Sequence, residues 1–324
     1  MSRVRVAVVG AGNIAQEHLK VLTGQPLAEV VLLCDRDPKT LAETGARFGI
    51  AERVGDPQAV LRRDDLDAVY VLVSVLAVAE VATPFIGAGL PVFLEKPPGI
   101  ASAETARLAE LQQRRGTIAV VGLNRRFYAA HLALRERFQA GGSPLSVTVE
   151  AHEDLARVSR QKFPPLVLRR WAYANGIHAL DLLRFFGGEV TEVHAFRDAF
   201  EHDFPDCLTA HLRFASGGHG RAAVDWVAPG RHRFEVRAAG VCATSSPGFG
   251  AVTLTMRGRP EEGLEPDADD RRFKPGFWKE TEAFLQGVRR GQQPPFPSAS
   301  LADAHRTMVM IDQICGFPPD RGHE

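Results

Sequence analysis

Apolar residues in the first third of the chain come in short unbroken runs with helix-spaced stretches between them. Val4 to Val9, Val30 to Cys34, Ala68 to Val73, Val92 to Leu94 and Thr117 to Val121 are the runs. Thr40–Phe48, Gln58–Arg63, Val78–Ala88 and Ser102–Arg114 read as helices between them, with Ser102 as a cap and Glu104 in the first turn. Unbroken apolar strands are buried on both faces, and their alternation with helices predicts an α/β doubly wound parallel sheet over residues 1–122. The pattern then changes. Ser146–Glu150, Val190–Phe196, Cys207–Phe214, Gly220–Val227 and Phe234–Ala238 partly alternate and are separated by turns such as Ser216-Gly217-Gly218. This predicts an α+β second domain, 123–324, built on an antiparallel sheet with one covered face. Its helices are expected at Ile177–Phe186, Phe277–Arg289 and Leu301–Cys315, and the charged Arg257–Arg272 as a surface loop.

The first strand runs into Gly10-Ala11-Gly12-Asn13-Ile14-Ala15 and then a helical pattern through Leu22. Strand, glycine turn and helix in that order form a dinucleotide fingerprint. Gly10 permits the tight turn, Gly12 lets backbone approach a pyrophosphate, and Ala15 keeps helix and strand close. The N–H groups from Asn13 and Ile14 open the helix and face the phosphate charge. Asp35 closes the next strand, where a carboxylate accepts both ribose hydroxyls and repels a 2′-phosphate. Asp35 therefore favours NAD, while Arg36 offsets part of that repulsion and leaves NADP possible. Asp37, directly before Pro38, is the expected helix cap.

The run Val92–Leu94 stops at Glu95-Lys96-Pro97-Pro98. Ligands of open parallel sheets bind beyond the carboxyl ends of the strands, so Lys96 is expected to face one, on a loop stiffened by prolines. A solvated ion pair at a strand end is the plain alternative. Ser74, just past the third run, and Glu95 join Lys96 as candidate cofactor contacts.

Composition narrows the class. The chain has 324 residues, 45% hydrophobic and 24% charged, with 39 basic and 39 acidic residues, so no net field favours nucleic acid or membrane. Four scattered cysteines suit a reducing compartment, no apolar run reaches a membrane span, and a strand pattern begins almost at the N-terminus. A cytoplasmic home is expected. The histidines show no metal-ligand spacing.

With these stretches in order, the chain resembles the Gfo/Idh/MocA family of nicotinamide-dependent sugar and polyol oxidoreductases. The resemblance rests on the fingerprint, on Ala88-Gly89 leading to Glu95-Lys96-Pro97, and on Gly122-Leu123-Asn124-Arg125-Arg126-Phe127. Gly176-Ile177-His178-Ala179-Leu180-Asp181 and the C-terminal helices complete it. It implies a Rossmann domain, an open antiparallel sheet domain, a sugar or polyol substrate, and pairing through sheet faces into a homodimer or homotetramer. Two places depart from the pattern. Val73-Ser74-Val75 and Val78 stand where many members have Thr-Pro-Asn and a histidine, and Ala174, beside Asn175, replaces an aspartate.

Oxidising a secondary alcohol needs a side chain of tunable pKa within reach of the hydroxyl proton. His178 is the first candidate, and Lys96 is expected to share the same oxygen or, in a desolvated cleft, to act as the base itself. Asp181, three residues on, is placed to orient the imidazole or to pair within its own domain. Asn124, Arg125, Arg170, Tyr173 and Asn175 are the remaining substrate candidates, with structural packing as the alternative for each. The favoured reading is a dehydrogenase. Loss of the aspartate favours a second, a non-catalytic dinucleotide- and sugar-binding sensor.

Overall fold

A computed structural model of the chain describes residues 2–141, 144–158, 163–230, 232–245 and 248–318. Contacts group it into two units, Met1–Asn124 with Asp269–His305, and Arg125–Ala268 with Arg306–Glu324.

The first unit carries β1 (Val4–Val9), β2 (Ala28–Cys34), β3 (Arg53–Val54), β4 (Ala68–Val71), β5 (Val92–Leu94) and β6 (Ala119–Val121). They form a six-stranded sheet in the order β3-β2-β1-β4-β5-β6, and every pairing is parallel. The order reverses at β1, beyond whose carboxyl end lies the place such sheets reserve for a ligand. The expected doubly wound sheet is present. Asp37 accepts the Thr40 N–H at 2.9 Å ahead of Pro38, as its position before a proline requires, and left-handed Gly49 ends that helix. Ser102 does not cap. It is buried as the first residue of the helix Ser102–Arg115, and Glu104 reaches back instead to the Ile100 N–H at 2.6 Å.

The expected boundary at residue 122 is close to the first crossing, yet residues 269–305, assigned by pattern to the second domain, pack in the first unit. Phe284 and Leu285 of the helix Phe277–Arg290 are fully buried in a core with Val6, Leu19, Tyr70 and Phe93. An amphipathic helix buries its apolar stripe wherever the complementary surface is, and sequence position does not fix that choice.

The second unit carries β7 (Ser146–His152), β8 (Val190–Asp198), β9 (Cys207–Phe214), β10 (His219–Asp225), β11 (Arg233–Ala238), β12 (Val241–Ser245), β13 (Val252–Met256) and β14 (Glu262–Leu264). The order is β14-β13-β12-β11-β7-β10-β9-β8, antiparallel except for β7 with β10. Strict alternation in β9, with Leu208, Ala210, Leu212 and Phe214 inward, gives one apolar face, and the helix Ile177–Gly187 packs over β7 and β10. Three departures from the sequence reading follow. β12 and β13 lie beyond the last expected strand, β14 occupies part of the expected loop, and a helix forms at Ala129–Gly141. No helix among the described residues is long and apolar enough to cross a membrane.

Candidate active site

In the first unit, the turn after β1 and the ends of β2 and β4 enclose a cleft of about 340 Å³ lined by Gly10, Gly12, Asp35, Arg36, Val73 and Ser74, among others. Gly10 has φ +101°, and a Cβ there would come within 2.3 Å of the Leu72 carbonyl oxygen, so only glycine fits. A Cβ on Gly12 would meet nothing within 4 Å. Its bare backbone therefore borders open space, and no side chain caps the helix Asn13–Gly24 that follows. Uncapped N–H groups at a helix start beside an open cradle suit a phosphate. The Asp35 carboxylate is held by the Ala11 N–H at 2.7 Å and the Asp37 N–H at 2.9 Å, one on each oxygen. Each oxygen keeps an acceptor site for a ribose hydroxyl. Arg36 and Ser74 are exposed at the same cleft, and the Ser74 carbonyl accepts the Ala77 N–H.

Lys96 follows β5, whose carboxyl end shares the sheet edge with the Gly10 turn. Glu95 points the other way, into the core. Its Oε1 meets His18 Nε2 at 2.8 Å and its Oε2 accepts the N–H of Lys96 at 3.0 Å. Burial alone would raise the Glu95 carboxyl, but His18, with Lys96 and Lys274, draws it below its ordinary value. His18 is itself stacked on Phe277 at 4.4 Å and edge-on to Phe93 at 5.2 Å. Glu95, expected at the cofactor, is thus a brace for the backbone of Lys96. Glu280 is buried nearby and held well above its ordinary value, by burial first and then by the charge of Glu95.

In the second unit, one turn of π-helix, Ala172–Gly176, leads into the helix Ile177–Gly187, on which His178 is partly exposed. Asp181 is closed. Arg126 grips it with two hydrogen bonds of 2.6 Å, Thr307 donates to it at 2.8 Å, and Arg126 and Asp181 are both buried. Of the roles read for this carboxylate in the sequence, orienting the imidazole, meeting a substrate or pairing within its own domain, the structure shows the last, an internal fastening. Arg170 lies over the Phe317 ring at 4.0 Å, and burial lowers its pKa. Tyr173 is fully buried, its ring 5.4 Å from that of Phe317, so it offers no surface to a substrate. Arg125 sits over Phe249 at 4.1 Å, its pKa lowered by burial. Asn175 donates to both Glu153 oxygens, at 2.9 and 2.8 Å. Asn124, in the first unit, is buried and donates to the Pro275 carbonyl at 2.9 Å, tying two chain segments together.

Two family descriptions match in sequence. "Oxidoreductase family, NAD-binding Rossmann fold" covers residues 4–123, and "GFO/IDH/MocA C-terminal domain" covers 132–240. The chain belongs to the Gfo/Idh/MocA oxidoreductase family. Among curated members, it is 27% identical over 315 residues to the scyllo-inositol 2-dehydrogenase (NAD(+)) of Bacillus subtilis, covering 90% of this chain and 88% of that one. It is 32% identical over 201 residues to the inositol 2-dehydrogenase of Acidothermus cellulolyticus, across 59% of this chain and 56% of that protein's length. In another curated relative the matched stretch spans 62% of the length. An oxidoreductase from Agrobacterium radiobacter, solved with NAD+, L-tartaric acid and magnesium, shares the fold at TM-score 0.81 and 18% identity, over 96% of this chain and 95% of that one.

As a Gfo/Idh/MocA Rossmann domain, the first unit binds NAD, and the bare Gly12 backbone with the pre-held Asp35 carboxylate fits that cofactor. Sequence reasoning passed over His18, Arg126 and Glu153. Arg126 stood inside a motif already singled out, and its neighbour Arg125 drew the attention. His18 and Glu153 carry no local signal, because the partners that give them roles lie 77 and 22 residues away.

Proposed function

We propose that this protein is an NAD-dependent dehydrogenase of a secondary alcohol on a sugar or cyclic polyol, with Lys96 and His178 handling the hydroxyl proton. The observation that carries the reading is the double use of Glu95. The carboxylate pins the Lys96 backbone at the sheet edge that also bears the dinucleotide cradle. Bound NAD would accept the hydride. His178 of the second unit and Lys96 of the first are the two candidates to take the hydroxyl proton as hydride departs, an imidazole or a lysine whose pKa a dry site lowers. The sensor reading rests on the aspartate replaced by Ala174 alone, and the relatives named as dehydrogenases favour the enzyme.

The relatives named as inositol dehydrogenases direct the substrate search to inositols and related sugars. Nicotinamide absorbance followed across a panel of inositols, pyranoses and nucleotide sugars tests the reading. No turnover of any member would overturn it.

Assembly and location belong to the same proposal. The outer strand β8 is largely exposed, with Phe196 74% and nearby Phe200 70% exposed, and apolar surface on an open sheet face suits a second copy. Light scattering should give a dimer or tetramer, and a monomer at micromolar concentration would refute this. The four cysteines are free thiols, which supports the cytoplasm, and cell fractionation checks it.

A further inference from the structure

Glu153 follows β7 directly, and its own N–H bonds to the Asp225 carbonyl at 2.9 Å, which fixes its backbone to the neighbouring strand β10. Its carboxylate gathers polar groups from three directions. The Trp171 indole N–H donates at 3.0 Å, the Asn175 amide donates to both oxygens, and His232 Nε2 stands 3.6 Å away. The positive charge of Arg125 acts on the same place. Burial outweighs the nearby carboxylate and holds the His232 imidazole below its ordinary pKa, so it adds no full charge at neutrality.

A carboxylate offers about four acceptor sites, and among the described residues three hydrogen bonds from two donors, the indole and the amide, use them, which leaves about one. The side chain is 16% exposed, so the remaining site opens outward. The two donors come from the turn that leads into His178. Asn175 and His178 are three residues apart, neighbours on one helical surface, and both are partly exposed. An internal fastening has no need of an exposed edge, and Asp181, with as many hydrogen bonds, is 3% exposed. The closed Arg126–Asp181 pair shows how this chain builds one when only stability is required.

We propose that Glu153 is the substrate-binding carboxylate of the sheet unit, accepting a hydrogen bond from a hydroxyl adjacent to the carbinol that His178 serves. The inference rests on the dehydrogenase reading for its substrate class, a sugar or cyclic polyol with vicinal hydroxyls. Asn175 and Trp171 position the carboxylate, and the substrate completes its hydrogen bonding. A carboxylate that accepts a hydroxyl beside the reacting carbinol selects for a vicinal diol, because an analogue lacking that hydroxyl leaves a half-buried acceptor unpaired.

The test uses the full chain with NAD. E153Q keeps the shape and, with its oxygen at the Oε2 position, one acceptor for both the indole and the amide while removing the charge, and E153A removes the group. E153Q should raise KM for the best polyol about 10- to 100-fold, the range for a charged hydrogen bond. NAD affinity and the thermal midpoint of E153Q should stay at wild-type values. A deoxy analogue lacking the adjacent hydroxyl supplies the deciding comparison. It should bind wild type worse than the parent polyol, and that difference should vanish in both variants. Unchanged KM, or a deoxy penalty that persists in E153Q, overturns the assignment. If wild type binds a polyol by calorimetry without oxidising it, the dehydrogenase reading fails alone, and the same ratios of Kd judge Glu153. If wild type binds no polyol in the panel, both fall.

Discussion

Arg126 and Asp181 close on each other through two parallel hydrogen bonds of 2.6 Å, each side chain almost wholly removed from water. Thr307 and Arg184 extend the pair towards the last helix. Removing one partner leaves the other charge buried and uncompensated, which costs about 3–5 kcal/mol. Asp181→Ala should therefore lower the unfolding free energy by about that amount in urea titrations. Turnover per folded molecule should hardly change. A large fall in kcat at wild-type stability would mean that Asp181 works at the site after all.

Lys96 and His178 should behave differently. General acid–base assistance contributes about 10²- to 10⁴-fold, so Lys96→Ala or His178→Ala should each reduce kcat within that range at near-normal stability. Groups acting as a unit are not additive, and the double variant should be little worse than the poorer single one. NAD titration should be unchanged in His178→Ala, since the cradle lies in the first unit. Wild-type turnover by His178→Ala would place the base elsewhere.

Cofactor choice depends on Asp35, whose carboxylate is already held by two backbone N–H groups. Binding of NAD(H) should exceed that of NADP(H), each tenfold being ~1.4 kcal/mol. Asp35→Ala should narrow the ratio mainly by weakening NAD(H). Tryptophan fluorescence or calorimetry with both cofactors reads this directly. Equal affinities in wild type would show that Arg36 outweighs the acid.

Glu280 gives the stability a pH dependence of known sign. Its folded pKa is raised well above 4.5 by burial and then by Glu95, with Lys274 opposing, so the folded state holds a proton that the unfolded chain releases. Stability conferred by the neutral acid is complete below its unfolded pKa and declines as pH rises towards the folded one. Glu95 runs the opposite way, since its lowered pKa adds stability above its ordinary value that is lost as pH falls. Glu280→Gln should remove the decline. The urea midpoint of the variant should gain on wild type as pH rises from 4.5 towards the raised folded pKa, as linkage requires. A constant difference across that window would refute the assignment.

The nucleotide-binding half was legible because its signals are local. A β-branched strand, a Gly-x-Gly turn and an acid closing the next strand follow from backbone geometry within a few residues, as does the Asp37 cap before Pro38. Ser102 misled for the same reason. Its residue type suits a cap, but the chain path turned it inward and gave the task to Glu104.

Alternation and residue type by themselves determined the parallel sheet's main strands, the first five strands of the second sheet, the cofactor cradle and the strand end that carries Lys96. Only the tertiary structure decided which charges are spent inside and which remain for chemistry. Asp181 and Glu95 look as available in sequence as Glu153, yet the first is closed by Arg126 and the second braces a backbone, while the third keeps an exposed side. The same holds for residues 269–305, whose amphipathic helix completed the first unit's core. Hydrogen bonds and apolar burial between residues tens to hundreds of positions apart depend on where the folded chain brings them. A linear pattern records what each segment can offer, and packing selects which offers are taken up.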